Sequence, residues 1–269
     1  MIVGLDMGAS ATKIVGINKD QILFTRSEGT VSRDVEKLLL VTVQRCGFSA
    51  EDITAVAVTG VGAEKCNIKR SLAPVKFVSE IDATGEGGSW LSGKANCVVV
   101  SIGTGTSLVL AREGRFMHIG GSGVGSGTLR GLAKKFYGTA ELPKMFSLAK
   151  TGNRLNVDIT IADLFSGTDT LPLDLTASNL AKCSDAATDA DWAHAIINTV
   201  LEVAGSHAAL ACGGYGVKNV VITGGVSQTG IAKAVYDNFA RLYKLNYIIP
   251  EYSDFATAIG AARRVYLGA

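Results

Sequence analysis

Proline is scarce, charge of the two signs is nearly balanced, and the few cysteines keep their distance from one another. Each shortage removes a class of protein. Four prolines in 269 residues leave nothing for a collagen-like or low-complexity chain. Lys+Arg 26 against Asp+Glu 24 gives a net +2, too little for the electrostatic footprint of a nucleic-acid or membrane-surface binder, and neither partner is expected. The five cysteines, Cys46, Cys66, Cys97, Cys183 and Cys212, are odd in number and none has C-x-x-C spacing. They argue against a zinc ribbon and a disulfide framework and read as reduced, mostly buried thiols of a cytoplasmic protein. The opening residues carry no basic stretch and reach an acid at Asp6, so no signal peptide is expected. No G-x-x-x-x-G-K-[ST] run occurs, which excludes a P-loop. The longest helical apolar stretch, 192–212, contains Glu202 and His207 and reads as a buried helix, not a membrane span.

What is present is a core and an excess of glycine. Hydrophobic residues make up 47% and charged residues 19%, enough apolar material for one large domain or two lobes. There are 32 glycines, where average usage of about 7% would give about 19. Excess glycine in a globular chain marks sites where backbone runs close to backbone or to a ligand. β-branched runs at 2–5, 13–17 and 21–26 predict three strands, and 34–46 has helical spacing. Strands at 53–59 and 75–78 follow, with a short helix at 60–66 between them and a helix at 80–91 after them. The order then restarts: strands at 97–102, 106–111 and 115–119, a helix opening near Gly127, and a polar and helical insert at about 139–184. A helix at 191–212, a strand at 219–223, a helix at 230–243, a strand at 247–249 and a helix at 256–266 complete the chain. Two successive units of the same element order predict a duplicated α/β lobe with a cleft between the copies.

Three glycine-rich turns follow buried strands, at 4–13, 101–107 and 222–227. Such turns present backbone N–H groups and hydroxyls to phosphate oxygens, and they fall at equivalent points of the duplicated order. Asp6, at a strand mouth, suits a Mg²⁺ ion held through water. A fourth run, G-G-S-G-V-G-S-G at 120–127, opens a helix. A Rossmann reading fails because the later acid is missing, and the run reads as a backbone nest whose helix N-terminus binds nucleotide phosphates. His194 and His207 lie on an apolar helix and read as core or interface histidines; the 201–210 face of that helix reads as core or a dimer seam.

The segment 6–13, the S-I-G-T-G-T-S loop at 101–107 and the T-G-G turn at 223–225 resemble the two phosphate loops and the adenosine loop of the actin-like sugar-kinase superfamily. More narrowly, the chain resembles the bacterial type II pantothenate kinases. E-I-D-A at 80–83, G-T-G-T-S, the glycine run at 120–131, T-G-N-R at 151–154, D-L-T-A-S-N at 174–179 and A-I-G-A at 258–261 occur in the same order over nearly the whole chain. The phosphate loops are shared across the superfamily; E-I-D-A and D-L-T-A-S-N are the specific part.

The resemblance implies an α/β, duplicated ribonuclease-H-like (actin-like ATPase) two-lobed fold with a nucleotide cleft between lobes. Residues 1–95 would form one lobe and 96–269 the other, with the insert at about 139–184. It further implies a cytoplasmic homodimer that uses ATP and Mg²⁺ to phosphorylate the primary hydroxyl of pantothenate, or of pantetheine, opening coenzyme A biosynthesis. Two alternatives stay open: a sugar or amino-sugar kinase, disfavoured by the lack of a strand-end Asn-Asp pair, and a non-catalytic, regulatory ATP-binding protein such as the cluster-bearing activators of dehydratases. Carried over by position, Asp6, Met7, Gly8, Ala9, Ser10, Ala11, Thr12, Lys13, Thr104 and Gly105 would contact phosphates, with Asp6 toward Mg²⁺ through water. Ser126, Gly127, Thr128, Leu129 and Arg130 would line the nucleotide, and Gly225 would sit by the adenosine.

The second phosphate loop carries no acid, so the general base must come from elsewhere. The residues alone leave Glu80 with two readings: base, or part of a helix start in which Ser79-x-x-Asp82 forms a capping box. The resemblance places Glu80 on the family's catalytic glutamate and Asp82 in the cap. Glu80, His118 and Gly120 would face the acceptor. At His118 the chain departs from the family, which has an arginine there that is implied in holding pantothenate. The nearby arginine is Arg115, three residues earlier.

Overall fold

Short alternating or wholly apolar β-branched runs need two covered faces, and the chain supplies them twice. The computed structural model describes residues 1–29, 34–66, 68, 72–165, 172–182 and 184–268. Strands β1 (Ile2–Met7), β2 (Thr12–Asn18) and β3 (Gln21–Glu28) form a meander. Helix α1 (Val35–Arg45) follows, then β4 (Ala55–Thr59) and β5 (Val75–Phe77), both parallel to β1, giving a sheet of order β3-β2-β1-β4-β5. Helix α2 (Glu80–Ser92) leads to a second meander, β6 (Asn96–Ile102), β7 (Thr106–Arg112) and β8 (Arg115–Ser122). After α3 (Ser126–Tyr137) the insert holds α4 (Leu142–Ala149), a two-stranded sheet of β9 (Ile159–Thr160) and β10 (Thr176–Ser178), and α5 (Ile161–Leu164) between them. Then come α6 (Asp189–Tyr215), β11 (Asn219–Thr223), α7 (Gly230–Tyr243), β12 (Asn246–Ile248) and α8 (Ala256–Tyr266). The second large sheet runs β12-β11-β6-β7-β8, the same order as the first with corresponding strands in corresponding places. The duplication legible in element order is therefore a duplication of topology.

Boundaries move where turn chemistry intervenes. The strand expected from residue 53 starts at Ala55, because Ile53 closes a one-turn helix whose Ser49 and Asp52 form a reciprocal cap. The helix expected at 60–66 is a single turn, Ala63–Lys65. Cys183 lies outside the described residues.

The helices do not stay with the lobe their position in the chain suggests. α1 buries Val35, Leu39 and Val43 on one face of the first sheet. The opposite face is covered by α8, from the far end of the chain, whose Ala258, Ile259 and Ala262 pack on Val15 and Ile17. In return α2 lies on the second sheet, with Gly88 over Val99 and Gly85 over Phe116. The other face of that sheet is filled by α6, which buries Ile196, Ile197, Val200 and Leu201. α6 is long and apolar enough to cross a membrane by composition, but 61% of its most apolar window is buried in the protein, as a core helix requires.

α2 and α8 cross backbone to backbone. A Cβ on Gly87 would stand 1.9 Å from the carbonyl oxygen of Ala256, and one on Gly260 would stand 1.8 Å from that of Ala83. Beside the crossing, Arg263 donates from Nε to Glu86 and from a terminal nitrogen to Asp20, both at 2.9 Å, with Trp90 under its guanidinium at 4.3 Å. Helix propensity alone would make Gly87→Ala stabilising by about 1 kcal/mol. Overpacking against an immovable carbonyl costs about 1–3 kcal/mol or more and wins here. Urea denaturation is expected to show Gly87→Ala net destabilised by at least about 1 kcal/mol, whereas Gly131→Ala on α3, where a Cβ meets nothing within 4 Å, gains a few tenths or more.

Candidate functional site

The turns that link these elements converge on one cavity of about 600 Å³ between the two sheets. The β1–β2 turn supplies Asp6, Gly8, Ala9, Ser10, Ala11 and, on β2, Lys13. The β6–β7 turn supplies Thr104 and Gly105, the start of α3 supplies Ser126 and Arg130, and the turn after β11 supplies Gly225. Glu80 enters from the first residue of α2. Met7 and Thr12 belong to the first loop but their side chains are buried, 0% and 1% exposed, so only their backbone is near the cavity.

The two phosphate-loop candidates touch: Ser10 Oγ and Thr104 Oγ1 are 3.4 Å apart. Gly224 holds φ +93°, and a Cβ there would meet the Ile102 carbonyl oxygen at 2.4 Å, so the third turn needs glycine. The start of α3 corrects the nest reading of the 120–127 run. The Ser126 and Gly127 amides already donate to the Gly103 and Thr104 carbonyls at 2.7 and 2.9 Å, and the Thr128 hydroxyl accepts from the Gly125 amide. These groups brace the second phosphate loop from behind and are not offered to a ligand. Leu129 is a core residue, and neither Gly127 nor Thr128 lines the cavity.

Burial lifts the Asp6 carboxyl to about 6; Lys13, its partner across β1 and β2, opposes the shift and Glu80 adds to it. Among the described residues no hydrogen bond relieves Asp6. Gly60 makes room for it, since a Cβ there would stand 2.7 Å from Asp6 Oδ1. Asp254, in the single turn that precedes α8, is also raised by burial and pulled down by Lys13. It lines the same cavity with Thr257. The sequence offered little signal for either, because an acid and a threonine at a helix start read as capping. Arg130 donates to the Ala140 carbonyl at 3.3 Å, while its Nε is buried without a partner. A buried donor left open in a cavity wall fits a bound polar ligand.

Glu80 stands where the large cavity meets a smaller one of about 420 Å³, lined by Ser79, Glu80, Ile81, Thr84, Ser101, Ser107 and Val109. Only half of the expected capping box forms: the Ser79 hydroxyl accepts from the Asp82 amide at 3.3 Å, and no bond returns from the Asp82 carboxylate. The cap falls to Ser79, and Glu80 is free of it. His118 and Gly120 lie on β8, outside the large cavity. His118 pairs with Val109, and cross-strand partners share a sheet face, so His118 is carried on the side of the smaller cavity. Arg115 pairs with Arg112 and, by alternation, points to the other face, where Arg112 donates to the Tyr215 carbonyl. It is no substitute for His118.

Elsewhere the polar motifs are structural. Arg154 bonds Asp158, Thr176 and the Asp174 carbonyl; Asn198 donates to Asp158, and Glu202 accepts from Thr176 and Asn179. This network ties T-G-N-R and D-L-T-A-S-N to α6, at the polar end of a cavity of about 680 Å³ between α4, α6 and α7. That cavity contains none of the expected site residues. His194 Nδ1 lies 2.8 Å from the Gly152 carbonyl, while His207 is exposed and is not a core histidine. Cys97 and Cys212 are buried, and burial pushes their thiols up to about 12 and about 11. Cys46 and Cys66 are half-buried, so none of the described cysteines is displayed as a cluster ligand at the surface.

Known proteins resemble it in architecture and in sequence. A solved activator of 2-hydroxyisocaproyl-CoA dehydratase from Clostridium difficile, with bound ADPNP, superposes with a TM-score of 0.68 at 20% identity, covering 100% of this chain and 97% of that one. The likeness is one of fold, that of the two-lobed actin-like ATPases. In sequence, a type II pantothenate kinase of Bacillus anthracis is 32% identical over 200 residues, 71% of this chain and 68% of the relative. A type II pantothenate kinase of Staphylococcus aureus (strain MRSA252) is 27% identical over 281 aligned positions that span both chains completely. The family model named Fumble matches residues 94–261, which include the second phosphate loop, the insert, the T-G-G turn and most of α8. With that match over more than half its length, and with relatives named in the same way, the chain belongs to the Fumble family of type II pantothenate kinases.

Proposed function

We propose that the chain phosphorylates the primary hydroxyl of pantothenate with ATP and Mg²⁺, the first step of coenzyme A biosynthesis, as a cytoplasmic homodimer acting on a small molecule. The family supports the reaction, and one observation carries the division of labour: Glu80 stands at the junction of a nucleotide-sized cavity and a smaller one. In this reading the ATP phosphates lie along the Ser10 and Thr104 turns, with Lys13 and Arg130 as the cations, and the adenine lies toward Gly225. The acceptor occupies the smaller cavity. Glu80 takes the proton of the acceptor hydroxyl as that oxygen attacks the γ-phosphorus; the bond to the β-phosphate oxygen breaks and ADP leaves.

A carboxylate that is half-buried, unrelieved by hydrogen bonds among the described residues and open to the cavity suits a hydrated divalent cation, so Asp6 would hold Mg²⁺ through water. No group of three or more His, Cys, Asp or Glu among the described residues could hold a metal alone, so the remaining ligands would be phosphate oxygens and water. Mg²⁺ would supply charge neutralisation on the phosphates.

Glu80→Gln is expected to lower kcat by about 10²–10⁴-fold with ADP affinity nearly unchanged; near-normal turnover in folded protein returns Glu80 to a helix-start role. A coupled ADP-release assay over pantothenate, pantetheine and hexosamines tests the acceptor, and a preference for hexosamines overturns it. Pantothenate has a carboxylate and pantetheine does not. His118→Arg is therefore expected to lower KM for pantothenate and leave KM for pantetheine unchanged, and equal effects on both remove His118 as the anchor.

Asp6 yields a prediction in pH. Its folded-state value, about 6, lies above the ordinary carboxylate value, so the protein loses stability as pH rises from about 4 to about 6, where the carboxyl ionises in the folded state. Asp6→Asn abolishes that loss: its stability advantage in urea is expected to grow between pH 4 and 6 and stay level above. The same variant is expected to bind Mg·ADP more weakly at pH 7, with a smaller gain on addition of Mg²⁺ than the unmodified protein shows.

A further inference from the structure

Two cations line the large cavity among the described residues, Lys13 from the first sheet and Arg130 from α3. Arg130 is anchored to the Ala140 carbonyl. Lys13 is half-buried on β2 and makes no ion pair within 4 Å among the described residues. Asp254 lines the same cavity from the other end of the chain, on the turn Ser253–Phe255 that packs against β2, the strand that carries Lys13.

The backbone that carries Asp254 is not free. Its neighbour Ser253 is fully buried; the Ser253 carbonyl accepts from the Gly224 amide at 2.9 Å. The Ser253 hydroxyl is 2.7 Å from Ser227 Oγ and accepts from Gln228 Nε2 at 2.6 Å. Three bonds thus lock the turn before α8 to the T-G-G turn. Lys13, by contrast, rides on the β1–β2 hairpin of the opposite sheet.

We propose that Asp254 is a positioning residue for Lys13: held by the T-G-G turn through Ser253, it fixes the Lys13 ammonium in the cleft, at the phosphate end of the nucleotide. This rests on the nucleotide reading of the cleft, though not on the identity of the acceptor. It supplies Lys13, the cross-strand partner of Asp6, with a second carboxylate carried on a held turn. It also couples occupation of the adenine end to the cation at the phosphate end.

The test is calorimetric binding of AMP, ADP and a non-hydrolysable ATP analogue to the unmodified protein and to Asp254→Asn, Asp254→Glu, Lys13→Gln and the Asp254→Asn/Lys13→Gln double variant. Asp254→Asn is expected to weaken ADP and the analogue by roughly tenfold and AMP by no more than about twofold, and Asp254→Glu to recover most of the loss. The double variant is expected to be no weaker than Lys13→Gln alone. Equal losses for AMP and ADP would mean that Asp254 acts through Ser253 on the adenine end, and losses that add in the double variant would mean that it does not act through Lys13. Either result overturns the proposal. An unmodified protein that binds ADP but leaves pantothenate untouched refutes the acceptor and not this pairing; one that binds no nucleotide refutes both.

Discussion

The crossing of α2 and α8 is the contact on which the rest depends. Two helices whose backbones meet at Gly87 and Gly260 leave no room for side chains between them, and each helix covers the sheet of the other lobe's strands. The two sheets are therefore joined through the closest packing in the molecule, and their separation sets the width of the cleft. Arg263 reinforces the joint by linking Glu86 on α2 to Asp20 in the β2–β3 turn. A buried guanidinium with two carboxylates and an aromatic face is strongly committed to one geometry, since losing Arg263 would leave the buried Glu86 charge without compensation.

From this joint the cleft inherits its chemistry. Most of the residues that line it sit at strand ends, on turns or in the first turns of helices, where the backbone is tightly held but side chains can reach inward. The second phosphate loop has hydroxyls and no acid, so its carboxylates come from three other places: the end of β1, the start of α2 and the turn before α8. That dispersion separates their environments. Asp6 is half-buried and desolvation lifts its carboxyl to about 6, Glu80 lies at the junction of two cavities, and Asp254 sits on a turn packed against β2.

Residue identity and spacing are sufficient for the elements and for the loops. The strands at 2–5, 97–102 and 219–223 and the helices near 191–212 and 256–266 are legible because their apolar periodicity is long and their ends carry glycine or acids. The phosphate loops are legible because glycines between two buried strands serve mainly to bring backbone close to a neighbour or a ligand. The same property makes the run at 120–127 misleading. A run of glycines shows that backbone approaches something closely, but not that the something is a second loop of the same protein. Arg115 and His118 look interchangeable along the chain and are separated only by the alternation of β8, which turns one toward each face of the sheet.

The sequence by itself determined the duplicated order of elements, the family, and the glycine turns that line the cleft, because these depend on local periodicity and on the conformational freedom of single residues. Tertiary structure decided which helix covers which sheet, which amides of α3 are already spent, and that Asp254 and Lys13 line one cavity. Those relations join residues from opposite ends of the chain, and no local preference encodes them; they follow only once the backbones of α2 and α8 have met.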